Sequence, residues 1–244
     1  MDREQIYASM AGEGRLDYEK YLNTPKLLSC QKPYEQLCNA DELQFQIVHQ
    51  SEELWMKLIC YTLLEIDERM AAGETFKVLT LFARVHKAMG FLIEQLSILD
   101  TMSIKDYQAI RLQLGNGSGQ ESPGFRTLLQ LYKPLWLTFE RVYLEQKGLT
   151  VEQIYNSEYR HDESYMVAEA MIEYDQLFQH FRYHHIKLIH RSIGIDSMSL
   201  KGRSTEILNS GMKMQFFPKL WQIRGQMTDI WGGVYGVKRD SMAD

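Results

Sequence analysis

Proline is the strongest local break a helical chain can carry, and this chain has only five in 244 residues, at positions 25, 33, 123, 134 and 218. Long stretches between them can wind without interruption. Apolar residues recur there at three- and four-residue spacings, the repeat of one helix face, and no segment alternates as a half-buried strand does. The chain is therefore expected to be all-α.

The breaks between helices are legible too. From Asp41 to Met70, residues such as Leu43, Ile47, Leu54 and Leu58 keep one face apolar, and the run stops at AAGE, where Gly73 can cap it. A second long helix is expected from about Glu74 to Leu99. After a break at Thr101 to Ser103, a shorter helix carries Tyr107 and Arg111 into the glycine-rich loop GNGSGQESPG. Further helices are expected from about Phe125 to Gln146, from Asp162 to Ser192 with a stop at Gly194, and around Phe217 to Trp231. The length admits one large domain or two smaller ones. With no segment of linker composition and no internal repeat, residues 1–244 are read as a single helical bundle around one site.

Composition narrows the function classes. The chain is 45% hydrophobic and 24% charged with a net charge of -5, an ordinary balance for a globular protein and no footprint for nucleic acid. Its apolar runs fall short of the roughly 20 residues that cross a bilayer, and MDREQIY lacks the basic start of a leader peptide, so a cytoplasmic protein is expected. Cys30, Cys38 and Cys60 are odd in number and lack CxxC spacing, which points to buried, reduced thiols and not to a disulfide or zinc framework.

Two histidines on separate apolar stretches are the main chemical signal. His49 shares a helix face with Phe45 and Met56 in ELQFQIVHQSEELW. The ordinary reading is a core histidine bonded to a carbonyl; the functional one is an imidazole presented to a ligand. His185 lies in FQHFRYHHIKLIHRSIG on a stripe with Phe178, Phe181 and Leu188, which suits an axial haem ligand: a neutral nitrogen toward iron beside an apolar wall. His180, His184 and His190 compete with it, and spacing does not choose among the four. Tyr107 and Arg111 are four apart on one helix face and can clamp a carboxylate through a hydroxyl and a planar guanidinium fork; a solvated surface face is the alternative. GNGSG has neither GK[ST] nor an upstream strand, so it is a weak nucleotide signal.

Taken together, YEKYLNTPKLLSCQ, DELQFQIVHQSEELWMKL, QLSILDTMSIKDYQAIR, SGQESPGFR, HHIKLIHRSIG and FFPKLWQIR resemble the tryptophan 2,3-dioxygenase family, in family order and with closely similar spacings. The resemblance implies a helical domain enclosing a b-type haem and an enzyme that opens the indole ring of L-tryptophan with O2. His185, nine residues before the glycine of the RxIG element, corresponds to the axial iron ligand. His49, in the HQxxELW element, corresponds to the histidine facing the indole N–H, and Phe45 to a residue lining the indole pocket. Tyr107 and Arg111 match the carboxylate pair, and Ser118 and Gly119 the loop over the haem. Tyr18 and Tyr21 match residues of an N-terminal segment, residues 1–35, that reaches a neighbouring subunit, which implies a homo-oligomer, tetramer or dimer.

One segment departs from the family. Where the family carries GTGGTxG, whose threonine touches the substrate's amino acid end, this chain reads DSMSLKGRSTE, with Ser199 at the threonine position. The change motivates two alternatives: a related haem monooxygenase making a 2-oxindole from a substituted tryptophan, and a haem-binding sensor without turnover.

Overall fold

The computed structural model describes residues 2–115, 117–156, 160–195, 214–232 and 241. Ser199 and the rest of the 196–213 segment lie outside the described residues. Three short helices open the chain, α1 (Arg3–Ala11), α2 (Asp17–Leu22) and α3 (Thr24–Leu27). They are followed by α4 (Asp41–Ala71), α5 (Thr75–Leu99), α6 (Ile104–Gln113), α7 (Pro123–Phe139), the short α8 (Val151–Tyr155), α9 (Glu163–Ile193) and α10 (Pro218–Gly232). No strand occurs among the described residues. The fold is all-α, as expected, with Pro134 accommodated inside α7.

Each main helix begins and ends for a local reason. Asn39 Oδ1 accepts from the Asp41 and Glu42 amides at 3.0 and 3.1 Å and so satisfies free donors at the start of α4. Gly73, at φ +71°, turns the chain out of α4 in a left-handed conformation that costs glycine little. Ser103 caps α6 through the Asp106 amide, Ser122 caps α7 through Phe125, and Asp162 caps α9 through Tyr165. α7 starts at Pro123, with Ser122 as the cap and Pro123 filling the first turn, where its missing N–H is no loss; its regular winding ends at Phe139, short of the expected Gln146. Beyond Phe139 the winding widens to a π-type turn, Glu140–Leu144, and then tightens over Glu145–Lys147. The widened turn carries buried Tyr143, whose hydroxyl meets Thr75 Oγ1 at 3.1 Å at the start of α5.

α5 packs against both α4 and α9, and α7 packs against α4 and reaches α9 through Phe125 on Phe178. Ile59, Leu63, Ile66 and Met70 from α4 meet Val78, Phe82, Val85 and Leu92 from α5, together with Val167, Met171 and Phe178 from α9, in one buried cluster. Full burial of each such side chain contributes about 1.5–3 kcal/mol, so this layer dominates the stability. The cysteine expectation holds only in part: Cys60 is buried in this cluster, whereas Cys30 and Cys38 are exposed because their segment is held to α4 by polar bonds, such as Lys32 N to Gln46 and Cys38 N to Glu42, and buries no side chain.

Candidate functional site

α4 brings Phe45 and His49 to one face, one helical turn apart. Their rings pack at 4.1 Å between centroids, and His49 Nδ1 lies 2.7 Å from the Phe45 carbonyl oxygen. A carbonyl only accepts, so Nδ1 carries the proton and Nε2 is left with its lone pair. Burial pushes the His49 pKa down, opposed by the Phe45 carbonyl and by the Glu53 carboxylate. The imidazole is therefore neutral with one nitrogen engaged and the other an acceptor.

α6 approaches the same face. Asn39 Nδ2 donates to the Asp106 carbonyl at 3.0 Å, tying the start of α4 to α6 beside Tyr107. The Tyr107 ring stands 6.4 Å from Phe45. Burial raises the Tyr107 pKa while the nearby Arg111 guanidinium lowers it, so the hydroxyl stays protonated and the cation is its neighbour. Phe45, His49, Tyr107 and Arg111 thus lie together although α4 and α6 are separated by the whole of α5.

His185 comes from the C-terminal half of α9. Its ring runs parallel to that of Phe181, 8° between planes at 6.4 Å. Burial pushes its pKa down to about 4, helped by the charges His49 and His184 would carry, so it too is neutral in ordinary buffer. Its neighbour His184 has a separate partner, Asp100 Oδ2, at 3.4 Å from Nε2. Against His185 lies the short turn Gly119–Glu121. A Cβ placed on Gly119 would stand 3.4 Å from His185 Cε1 and 3.8 Å from Nε2, ordinary van der Waals contact, so this turn packs directly against the imidazole. Ser118 starts this turn, its hydroxyl accepting from Gln120 N and its own amide donating to Glu121.

Tyr18 and Tyr21 take no part in these contacts. They lie on α2, 70% and 89% exposed, and no residue of α2 or α3 is buried. Two side chains near the site were not singled out in the sequence. Glu53 follows His49 by one helical turn and bonds the start of α7, a placement that the four-residue spacing alone puts on the same face. Arg182, three residues before His185, has its guanidinium over the Phe178 ring and a buried Nη1 with no partner among the described residues.

The arrangement can be tested against a haem. An axial ligand needs a neutral imidazole and an apolar wall. His185 is neutral, makes no hydrogen bond to a described residue and is flanked by Phe181. Among the described residues no group of three or more His, Cys, Asp or Glu side chains is placed to hold a metal ion. The residues present fit the group.

An all-helical bundle with two neutral imidazoles, a tyrosine and an arginine contributed by α4, α6 and α9 defines a class of site. Comparison with known proteins then gives the family. The family model described as tryptophan 2,3-dioxygenase matches residues 2–132, more than half of the chain, and the chain belongs to that family of oxidoreductases. Relatives named tryptophan 2,3-dioxygenase are similar over most of their length. That of Myxococcus xanthus is 27% identical, the alignment covering 88% of this chain and 91% of the relative. That of Serratia proteamaculans is 25% identical, covering 87% and 94%, and that of Xanthomonas campestris is 26% identical, covering 87% and 88%.

Proposed function

We propose that the chain catalyses insertion of O2 into the indole ring of L-tryptophan or a substituted tryptophan, giving N-formylkynurenine, with a b-type haem held by His185. The observation that carries this reading is the tautomer of His49. With Nδ1–H spent on the Phe45 carbonyl, Nε2 can only accept, which is what an indole N–H requires of its partner. Phe45, packed on the same imidazole and facing Tyr107, offers an apolar wall to the indole plane.

The remaining roles follow from charge and position. Arg111 pairs with the substrate carboxylate through its fork, and the Tyr107 hydroxyl, kept protonated by burial, adds a neutral donor. Ser118 and Gly119 form the turn beside the haem. Bound haem supplies the oxygen chemistry; the protein orients the indole, excludes water and keeps both imidazoles unprotonated. Both atoms of O2 enter across indole C2 and C3 as that bond breaks, so the net reaction consumes no external reductant. Loss of the Arg111 contact should cost about 1.5–3 kcal/mol of binding, roughly ten- to a hundredfold.

The protein is also proposed to be a homo-oligomer, tetramer or dimer, with the 1–35 segment of one copy against the next. Support comes from exposed Tyr18 and Tyr21 and from an uncovered apolar face on α4 formed by Ile47, Leu54, Leu58 and Tyr61. No helix among the described residues is long and apolar enough to cross a membrane, in keeping with the proposed cytoplasmic location.

The test is turnover by the purified, haem-loaded chain of tryptophan and of tryptophan methylated on the indole nitrogen. N-formylkynurenine should form from the first, and the second, unable to donate to His49, should react at least tenfold more slowly. Equal rates would remove His49 from the indole contact, and no consumption of either substrate would overturn the reading.

A further inference from the structure

We propose that Glu53 is a positioning residue that clamps the start of α7, and with it the 118–122 turn lying against His185, to the helix that carries His49. Its carboxylate spans both parts of the junction. One oxygen accepts from the Ser122 hydroxyl and the other from the Gly124 amide at 3.0 Å. Ser122 Oγ in turn accepts from Phe125 N at 3.0 Å, so cap and clamp form one chain of bonds from α4 into the first turn of α7. A carboxylate at this end of a 17-residue helix also meets the positive pole of the helix dipole.

The fit leaves little slack. A Cβ on Gly124 would stand 2.6 Å from Met56 Cβ and 2.8 Å from Glu53 Oε2, so α7 approaches α4 this closely only with glycine at that position. Immediately before the clamp is the turn whose Gly119 lies beside the His185 imidazole. The bonds Ser118 makes to Gln120 and Glu121 are internal to that turn. Glu53 is a link by which the helix of His49 bears on the position of the turn against His185. The significance of that turn for tryptophan rests on the function proposed above; the clamp itself rests only on the geometry.

Amide hydrogen exchange on the full-length protein, with and without haem, tests the clamp without reference to activity. In Glu53→Ala, peptides covering residues 118–126 should exchange at least tenfold faster, while peptides within α5 and the first half of α9 keep their protection. Glu53→Gln, which retains an oxygen for the Gly124 amide, should restore most of the protection. Gly124→Ala should loosen the same peptides by forcing α7 away from Met56 and Glu53. In the haem-loaded enzyme the KM for tryptophan should rise more than kcat falls. Unchanged exchange at 118–126 in Glu53→Ala, or faster exchange spread equally over α5 and α9, would overturn the proposal. Should Glu53→Ala not fold, the contrast between Glu53→Gln and Gly124→Ala decides in the same way. A loosened turn in a chain whose unmodified form leaves tryptophan intact would retain the clamp and remove the function.

Discussion

Glu52 sits three residues beyond His49, 8% exposed, with one carboxyl oxygen that has no partner among the described residues. Burial, and secondarily the charge of Glu53, raises its pKa to about 8 from 4.5. The sign of the effect on stability follows from proton counting. Below about pH 4.5 folded and unfolded chains both hold the proton; between 4.5 and 8 only the folded chain does, so stability falls as pH rises through that window. Glu52→Gln should therefore flatten the pH dependence of the denaturation midpoint and stabilise the protein by about 1–3 kcal/mol near neutral pH. An unchanged slope between pH 5 and 8 would mean that the carboxyl ionises in place. The two histidines separate just as clearly. His185→Ala should abolish the Soret band of the reconstituted protein, whereas His49→Ala should keep the band and lose turnover or change the substrate's orientation. Both residues were visible in the sequence as imidazoles on apolar stripes, but the choice of His185 over its neighbours required family resemblance. The structure adds that His184 is engaged by Asp100 while His185 faces Gly119. Local spacing carries no trace of either contact, since Asp100 and Gly119 come from other elements.

At the scale of elements, the extents of α4, α5 and α9 were legible because apolar residues repeat over many turns and glycine or a capping side chain bounds them. The α4 face read from Ile47, Leu54 and Leu58 is exposed, however, and Val48, Met56, Ile59 and Leu63 fill the core instead. Short helices such as α2, α3 and α8 were not, since four to six residues hold too few turns for a periodic signal. Nor did the pattern show what holds α10. Fully buried Asp175 on α9 accepts with one oxygen from Phe216 N at 2.9 Å, Phe217 N at 3.1 Å and Trp221 Nε1 at 2.8 Å, and with the other from Gln179. Phe216 is thereby set among Tyr132, Tyr174 and Phe178. Asp175→Ala would strand these donors and should destabilise the protein by about 3 kcal/mol or more, with Asp175→Asn costing less because an acceptor oxygen remains. Urea denaturation followed by tryptophan fluorescence measures both. Equal, small losses would show that aromatic packing alone seats α10.

At the scale of the whole molecule, the all-α class could be read from scarce prolines and the three- and four-residue apolar repeat, and the convergence of α4, α6 and α9 on one site could not. That convergence is a tertiary fact: Tyr107 meets Phe45 across 62 residues of sequence because α5 returns the chain along α4. The exposed tyrosines of α2 and the uncovered face of α4 belong to this scale also. Light scattering should give a mass that is a multiple of the 28.7 kDa chain, and removal of residues 1–35 should weaken the assembly; a monomer at micromolar concentration would refute the proposed oligomer. The central claim, that this bundle orients an indole so that both atoms of O2 enter one ring, has a direct measurement. Mass spectrometry of the product formed from tryptophan by the haem-loaded chain under isotopically labelled oxygen should show two labelled atoms in ring-opened N-formylkynurenine. One labelled atom in an intact, oxidised indole ring would contradict it.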